Sequence, residues 1–355
     1  MPRERPARIA SVDAIRGLVM IIMALDHTRD FFHADAAVFQ PDDLTRTTAA
    51  LFFTRWITHF CAPVFMFTAG VSAYLWQNRG RTTGELSRFL WTRGLWLVFL
   101  DLTVMRFALT FSMTSGPLIL FVLWALGWSM VALGLFARLP IRVLAVVSVL
   151  IVALHNLLDP IKAAQLGGFA WLWDILHQQG IFTVGPLSVL VAYPLIPWIA
   201  VMSAGYCFGA ILQGRWMIRL GIGLTAAFAI VRVINIYGDP FRWSGSLLSF
   251  LRTTKYPPSL DFLLMTLGPA FLIWAWLDRL PLSRINPLVV FGRVPLFYFV
   301  IHFYLIHLLR IFSNSTDALW VVYAIWIGVV AAMYPLCLWY SRVKERRRDW
   351  WLSYL

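Results

Sequence analysis

Ser11-Val12-Asp13-Ala14-Ile15-Arg16-Gly17, continuing through Leu18–Leu25 to Asp26-His27, decides how the rest of the chain is read. The run is apolar between its ionisable ends, which is the pattern of a helix that enters a membrane. Arg16 and His27 are eleven residues apart, so on a helix they lie ~16 Å apart along the axis. That is roughly half of a ~30 Å hydrocarbon core. Positions 13, 16, 20, 23 or 24, and 27 share one face, so Asp13, Arg16 and His27 point the same way. A guanidinium and an imidazole facing lipid would be costly, so this face belongs toward protein or a water-filled cavity.

The composition agrees. Of 355 residues, 60% are hydrophobic and 13% charged, with a net charge of +13. Soluble domains carry about a quarter charged residues. Apolar runs of about 17–25 residues recur near 13–32, 50–76, 87–111, 117–137, 141–158, 186–212, 217–237, 259–277, 294–312 and 318–341. The expected fold is therefore all-α and polytopic, a single transmembrane domain over 1–355 with about ten helices. The stretch 160–185, with Trp171, Trp173, Asp174 and His177, is expected at the interface or dipping back into the membrane.

Ten crossings place the basic residues unequally. Arg3, Arg5, Arg8, Arg79, Arg81, Arg88, Arg138, Arg142, Arg215, Arg219, Arg279, Arg284, Arg293, Arg342, Lys344, Arg346, Arg347 and Arg348 fall on one side. Arg29, Arg46, Lys162, Arg242, Arg252 and Lys255 fall on the other. By the positive-inside rule both termini are cytoplasmic. This bias accounts for the high net charge, so no nucleic-acid partner is expected. The first apolar run is long and lacks a small-residue cleavage site, so it reads as a permanent helix after the basic Met1–Arg8. Cys61, Cys207 and Cys337 all sit in apolar segments and read as inert core thiols.

With this orientation, Asp26, His27, Arg55, His59, Arg106, Arg232, Asp261 and His307 lie in the outer halves of helices, and Asp101 and His302 near mid-depth. Arg16, Arg93 and Arg293 lie toward the inner ends, forming a basic vestibule suited to a phosphate-bearing cytosolic ligand. Blander readings stand beside these. Arg93 and Arg293 can snorkel to headgroups, and Arg55 and His59, four residues apart, can satisfy each other. Asp101 needs a partner from another helix, as an ion pair or in support of a catalytic group. His27 and His33 are six residues apart and His302 and His307 five, neither spacing suiting two metal ligands on one helical face, so no metal is expected.

Ser11-Val12-Asp13-x-x-Arg16-Gly17 followed by Asp26-His27 resembles the opening helix of the transmembrane acyltransferases. Within them, it is most similar to the heparan-α-glucosaminide N-acetyltransferase catalytic family and its bacterial relatives. Acyltransferase family 3 is a more distant likeness, with Arg, ten residues, then His. Phe60-Cys61-Ala62-Pro63-Val64-Phe65-Met66-Phe67-Thr68-Ala69-Gly70 resembles that family's Pro-x-Phe-x-Phe-x-x-Gly helix. Lys255-Tyr256-Pro257-Pro258-Ser259-Leu260 and Gly292-Arg293-Val294-Pro295-Leu296-Phe297-Tyr298-x3-His302 resemble bacterial members.

The resemblance implies transfer of an acyl group, acetyl above all, from cytosolic acyl-CoA (acetyl-CoA) to a sugar amine or hydroxyl at the outer face. The partners are then a small-molecule acyl donor, a glycan-type acceptor and the lipid of a bacterial inner membrane, with a homodimer left open. His27 is the candidate base or nucleophile, with Asp26 or Asp30 to orient it. The lysosomal branch carries Asn at the position of His27 and a histidine several residues on, which makes His33 a rival. Arg16, Arg93 and Arg293 are the donor candidates, and Arg55, His59, Asp101 and His302 the substrate-facing set. A permease for an anionic solute, relaying through His27, Arg55 and Asp101, is the competing class, although the chain has no inverted repeat.

The orientation is testable with single cysteines in intact cells. Loops 33–49 and 238–258 should react with an impermeant reagent and 79–85 should not. Labelling within 79–85 would overturn the ten-crossing arrangement.

Overall fold

A computed structural model describes residues 9–314, 316, 318–347, 349 and 352. Arg3, Arg5, Arg8 and Arg348 of the inner basic set lie outside the described residues. The described chain is mostly helical. In order run α1 (Ala10–Phe32), α2 (Ala49–Thr58), α3 (Cys61–Gln77), α4 (Thr83–Leu100), α5 (Arg106–Thr110), α6 (Val122–Phe136), α7 (Ile141–Leu154) and α8 (Ala170–Leu176). Then follow α9 (Ile196–Gly209), α10 (Gly214–Ile234), α11 (Leu247–Leu251), α12 (Leu260–Leu277), α13 (Pro287–Arg293), α14 (Pro295–Ile311) and α15 (Leu319–Arg346). Among the described residues, five helical stretches are long and apolar enough to cross a membrane: Ala49–Gln77, Ile141–Leu158, Gly214–Ile234, Leu260–Leu277 and Leu319–Arg346. The pair α13–α14 makes a sixth if taken as one span, bent by 97°. The chain is thus an integral membrane protein.

The helical expectation holds with one small addition. Leu118–Leu120 (β1), Gly180–Val184 (β2) and Leu187–Val191 (β3) form a small sheet in the order β1-β3-β2. β1 runs parallel to β3 and β2 antiparallel to it. The apolar runs at 117–137 and 186–212 therefore begin as strands and become helices only at Val122 and Ile196. Pro117 and Pro186 open these stretches, and Pro194 and Pro197 hold back the second helix. The β2–β3 turn is Gly185-Pro186, with a positive φ of 57° at the glycine, as tight hairpins require.

Other boundaries have local causes. Thr82 and Glu85 close a capping box, Thr82 Oγ1 accepting from the Glu85 amide at 3.2 Å and Glu85 Oε2 from the Thr82 amide at 2.8 Å. This starts α4 at Thr83, ahead of the expected 87. The run 87–111 is interrupted by a five-residue π-helical turn, Asp101–Met105, of the kind that changes which way side chains point. The expected helix 294–312 begins at the bend, because Pro295 lacks the N–H that would continue α13.

The chain divides into two compact units, one of Phe65–Arg242 and Thr253–Pro269, the other of Ile9–Val64, Trp243–Arg252 and Ala270–Leu355. In the first, α4 lies on α6 through Gly94 and Gly127. A Cβ on either would come within 2.5 Å of the other's carbonyl oxygen. Asp101 Oδ2 accepts from the Phe121 amide at 2.7 Å, and the amides of Leu123 and Trp124 also face it. The carboxylate thus caps the N-terminus of α6, where backbone donors lack partners of their own. The Lys255–Leu260 motif is pinned from three directions. Asp239 accepts from the Thr254 amide at 2.7 Å and from Ser259 Oγ at 2.6 Å. His155 Nε2 meets the Pro258 carbonyl, and the Leu260 amide donates to Asn156 Oδ1, each at 2.8 Å. Burial pushes the Asp239 carboxyl above the usual range, against these hydrogen bonds.

In the second unit, α1 meets α13 at backbone distance. A Cβ at Gly17 would lie 1.8 Å from the Leu288 oxygen, and one at Gly292 would lie 1.7 Å from the Asp13 oxygen. Between apolar helices, such close approach replaces a hydrophobic driving force. At one end of this unit Ser11 Oγ donates to Asp278 at 2.5 Å, Tyr334 Oη to the Ile285 carbonyl at 2.7 Å, and Arg293 pairs with Glu345 at 2.8 Å. Elsewhere in it His33 pairs through its backbone with Thr316, and Arg252 Nε lies 3.9 Å from Asp42.

Gly17→Ala and Gly292→Ala should each destabilise the protein by about 1–3 kcal/mol or more, the range for overpacking. Gly223→Ala, on α10 with open space around it, should be neutral or gain up to about 1 kcal/mol from helix propensity. Unfolding in micelles reads the difference; equal stability of all three would refute the close α1–α13 crossing.

Candidate active site

The last two turns of α1 gather several of the ionisable side chains singled out in the sequence. Asp26 is buried and accepts from Arg55 Nη1 at 2.8 Å through each of its oxygens. Thr58 Oγ1 donates to it at 2.9 Å, and Arg29 Nη2 lies 2.7 Å away. The i, i+3 spacing on α1 brings Arg29 to Asp26, while Arg55 and Thr58 share a face of α2 one turn apart. Arg29 also pairs with Asp30 at 2.5 Å, whose side chain is 49% exposed. Two guanidinium groups and one carboxylate are thus buried together, with Asp30 balancing the charge from the rim. Burial of such groups is tolerable only with this pairing.

His27 follows Asp26 and projects elsewhere. Its Nδ1 lies 2.7 Å from Nε2 of His302 on α14, and the two rings stack at 5.0 Å. His302 is wholly buried, and its Nδ1 lies 2.9 Å from the carbonyl oxygen of Tyr298, one turn earlier. Phe303 packs on the His27 ring at 4.0 Å and Phe299 edge-on at 6.2 Å. The contact at Nδ1 therefore comes from an imidazole on another helix, whereas Asp26 and Asp30 serve the arginines. The chemistry available is proton exchange at a histidine walled by aromatic rings, beside a matched ionic cluster.

The other expected residues fall as follows. His33 ends α1, its Nδ1 accepting from the Asp35 amide at 3.3 Å, so its ring caps a turn. His59 is buried at the end of α2. Arg16 lies on α1 three turns before His27, 3.7 Å from Asp13. Arg293 is held by Glu345. Arg93 and Asp101 belong to the other unit, where Arg93 stands over the Phe89 ring at 6.0 Å and Asp101 caps α6.

Arg29, Thr58 and Tyr298 went unnoticed as members of this constellation. The charge pattern sets Arg29 among the outer basic residues, yet it is 2% exposed and sits in the last turn of α1. Its i, i+3 spacing from Asp26 was the available signal.

The chain is a helical membrane protein that buries His27 and the Asp26–Arg29 pair on its first helix, His27 against His302 of α14. The chain belongs to the heparan-alpha-glucosaminide N-acetyltransferase catalytic family, whose match spans residues 8–244. It is thus an acetyltransferase-family membrane enzyme. The match takes in Arg16, His27, Arg55, His59 and Asp101, while Arg293 and His302 follow it. A comparison with curated proteins returns no match.

Asp26→Ala takes from buried Arg55 its carboxylate and leaves Arg29 with Asp30 alone, and should cost about 3–5 kcal/mol. Asp30→Ala, at a half-exposed position, should cost less than about 1 kcal/mol. Unfolding measured in one detergent would separate them; equal losses would show that Asp26 is not the centre of the cluster.

Proposed function

We propose that the chain, 1–355, works as one acyltransferase domain. It moves an acetyl or related acyl group from cytosolic acyl-CoA to a sugar amine or hydroxyl at the outer face of a bacterial inner membrane. His27 is the group that carries the transfer. The observation that bears this reading is the placement of His27, buried on α1 three turns above Arg16 and in contact with His302. His33 is engaged in a turn at the helix end, which favours His27 of the two.

The step is a proton-coupled acyl transfer. The acceptor N–H or O–H gives its proton to His27 as its heteroatom bonds to the thioester carbonyl carbon. The C–S bond breaks, and the proton passes to the departing sulfur to give free CoA thiol. Arg16 and Arg293 suit a donor carrying diphosphate, being guanidinium groups at the end where Ser11, Asp278 and Glu345 gather. Arg16 is the stronger candidate, since Arg293 is held by Glu345. The Arg55–Asp26–Arg29 cluster and His59 stand on the acceptor side.

Ten crossings with both termini cytoplasmic remain the topology we propose. Contacts within the second unit support it. Residues expected inside meet one another (Ser11 with Asp278, Arg293 with Glu345), and residues expected outside do the same (His33 with Thr316, Asp42 with Arg252).

His27→Ala should lower turnover ~10²–10⁴-fold while acyl-CoA still binds. Arg16→Ala should weaken acyl-CoA binding by about 1.5–3 kcal/mol, the worth of a charge-assisted contact. Steady-state transfer assays and calorimetry on folded variants check both. Activity retained in His27→Ala and lost in His33→Ala would reassign the catalytic role.

A further inference from the structure

We infer that His302 is a positioning residue that fixes which nitrogen of His27 reacts, a proposal resting on the reading of His27 as the base. The geometry starts from a backbone carbonyl. The Tyr298 oxygen can only accept, so His302 Nδ1, 2.9 Å from it, carries a hydrogen. In a neutral ring, Nε2 of His302 then presents a lone pair. His27 Nδ1 lies 2.7 Å from that lone pair. Two nitrogens so close form a hydrogen bond only if one donates, and His27 Nδ1 is the one left to do so. Neutral His27 is therefore the Nδ1–H tautomer, and its basic nitrogen is Nε2.

The surroundings hold this arrangement. Tyr298 is one helical turn before His302, so the bond is a side chain bonding back to its own helix, and it sets the ring's rotation. Phe303 at 4.0 Å and Phe299 at 6.2 Å flank the His27 ring, opposing a flip that would exchange Nδ1 for carbon. When His27 takes the acceptor's proton on Nε2, its Nδ1–H bond to His302 becomes charge-assisted and strengthens. His302 gives up no proton in the step and keeps its own on Nδ1. The proton taken by His27 leaves from the same Nε2 to the thiolate sulfur.

The relay does the work a carboxylate does behind the histidine of a hydrolytic triad, fixing the tautomer and stabilising the imidazolium. A carboxylate there would itself need a buried cation. A histidine ending on a peptide carbonyl is neutral at rest, and it leaves Asp26 to Arg55 and Arg29.

The test uses full-length protein with 15N-labelled histidine, of which the chain has seven residues. The His27 signals are assigned by their loss in His27→Ala. In the wild type, Nδ1 should be protonated and Nε2 bare. His302→Leu should give a mixture of tautomers and lower kcat by roughly 10–100-fold with the donor KM unchanged. His302→Gln, which returns an acceptor oxygen near the place of Nε2, should recover most of that loss and the wild-type tautomer. A wild-type spectrum with the proton on Nε2 would overturn the proposal, and needs no substitution to fold. Wild-type kcat in His302→Leu would overturn it as well. If His27→Ala stays active, the reading of His27 as base fails, and the spectrum still reports what His302 does to the ring.

Discussion

The pairing of Asp26 with Arg55 and Arg29 is the constraint around which the second unit is organised. A carboxylate and two guanidinium groups in an apolar interior are stable only if each is met at hydrogen-bond distance, and here all the distances fall between 2.7 and 2.8 Å. Satisfying them fixes the rotation of α1 against α2. The contact of Gly17 and Gly292 with opposing backbone fixes α1 against α13 in the same way. Once both are met, His27 is carried to His302 without freedom to turn elsewhere.

The same rule explains why the charges in this chain do different things. Asp101 meets helix amides, so backbone dipoles offset part of the cost of burying it. Arg232 reaches the Phe241 carbonyl at 2.8 Å and Asp261 at 3.5 Å, both within its own unit. Arg293 is taken up by Glu345. His27 differs in that its Nδ1 meets another titratable ring, a contact that can steer a proton without cancelling a charge. On the proposed reading, function falls where a polar group is oriented but left able to exchange its proton.

Much of this was legible in the chain. The helical repeat of 11–27 placed Asp13, Arg16 and His27 on one face, and α1 runs unbroken through all three. The Gly292–His302 motif flags the helix that supplies His302. The rest depended on pairings between residues distant in sequence. Arg55 and His59 looked like each other's partners because they are four apart, yet Arg55 bonds to Asp26, twenty-nine residues earlier. Asp101 needs a partner from another helix, as an ion pair or in support of a catalytic group; the other helix offers the amides of its N-terminus, which no spacing announces. The strands at 118–120 and 187–191 were hidden because a short apolar run has no periodicity to tell strand from helix.

The central claim is that acyl transfer runs across the membrane through His27. The most direct measurement is transfer in sealed, oriented vesicles, with labelled acyl-CoA confined to the face bearing the termini and an amino-sugar acceptor confined to the other. The account predicts labelled acceptor on the far side in the wild type and next to none with His27→Ala. Product formed only when both substrates share one face, or solute exchange with no acylated product, would contradict it.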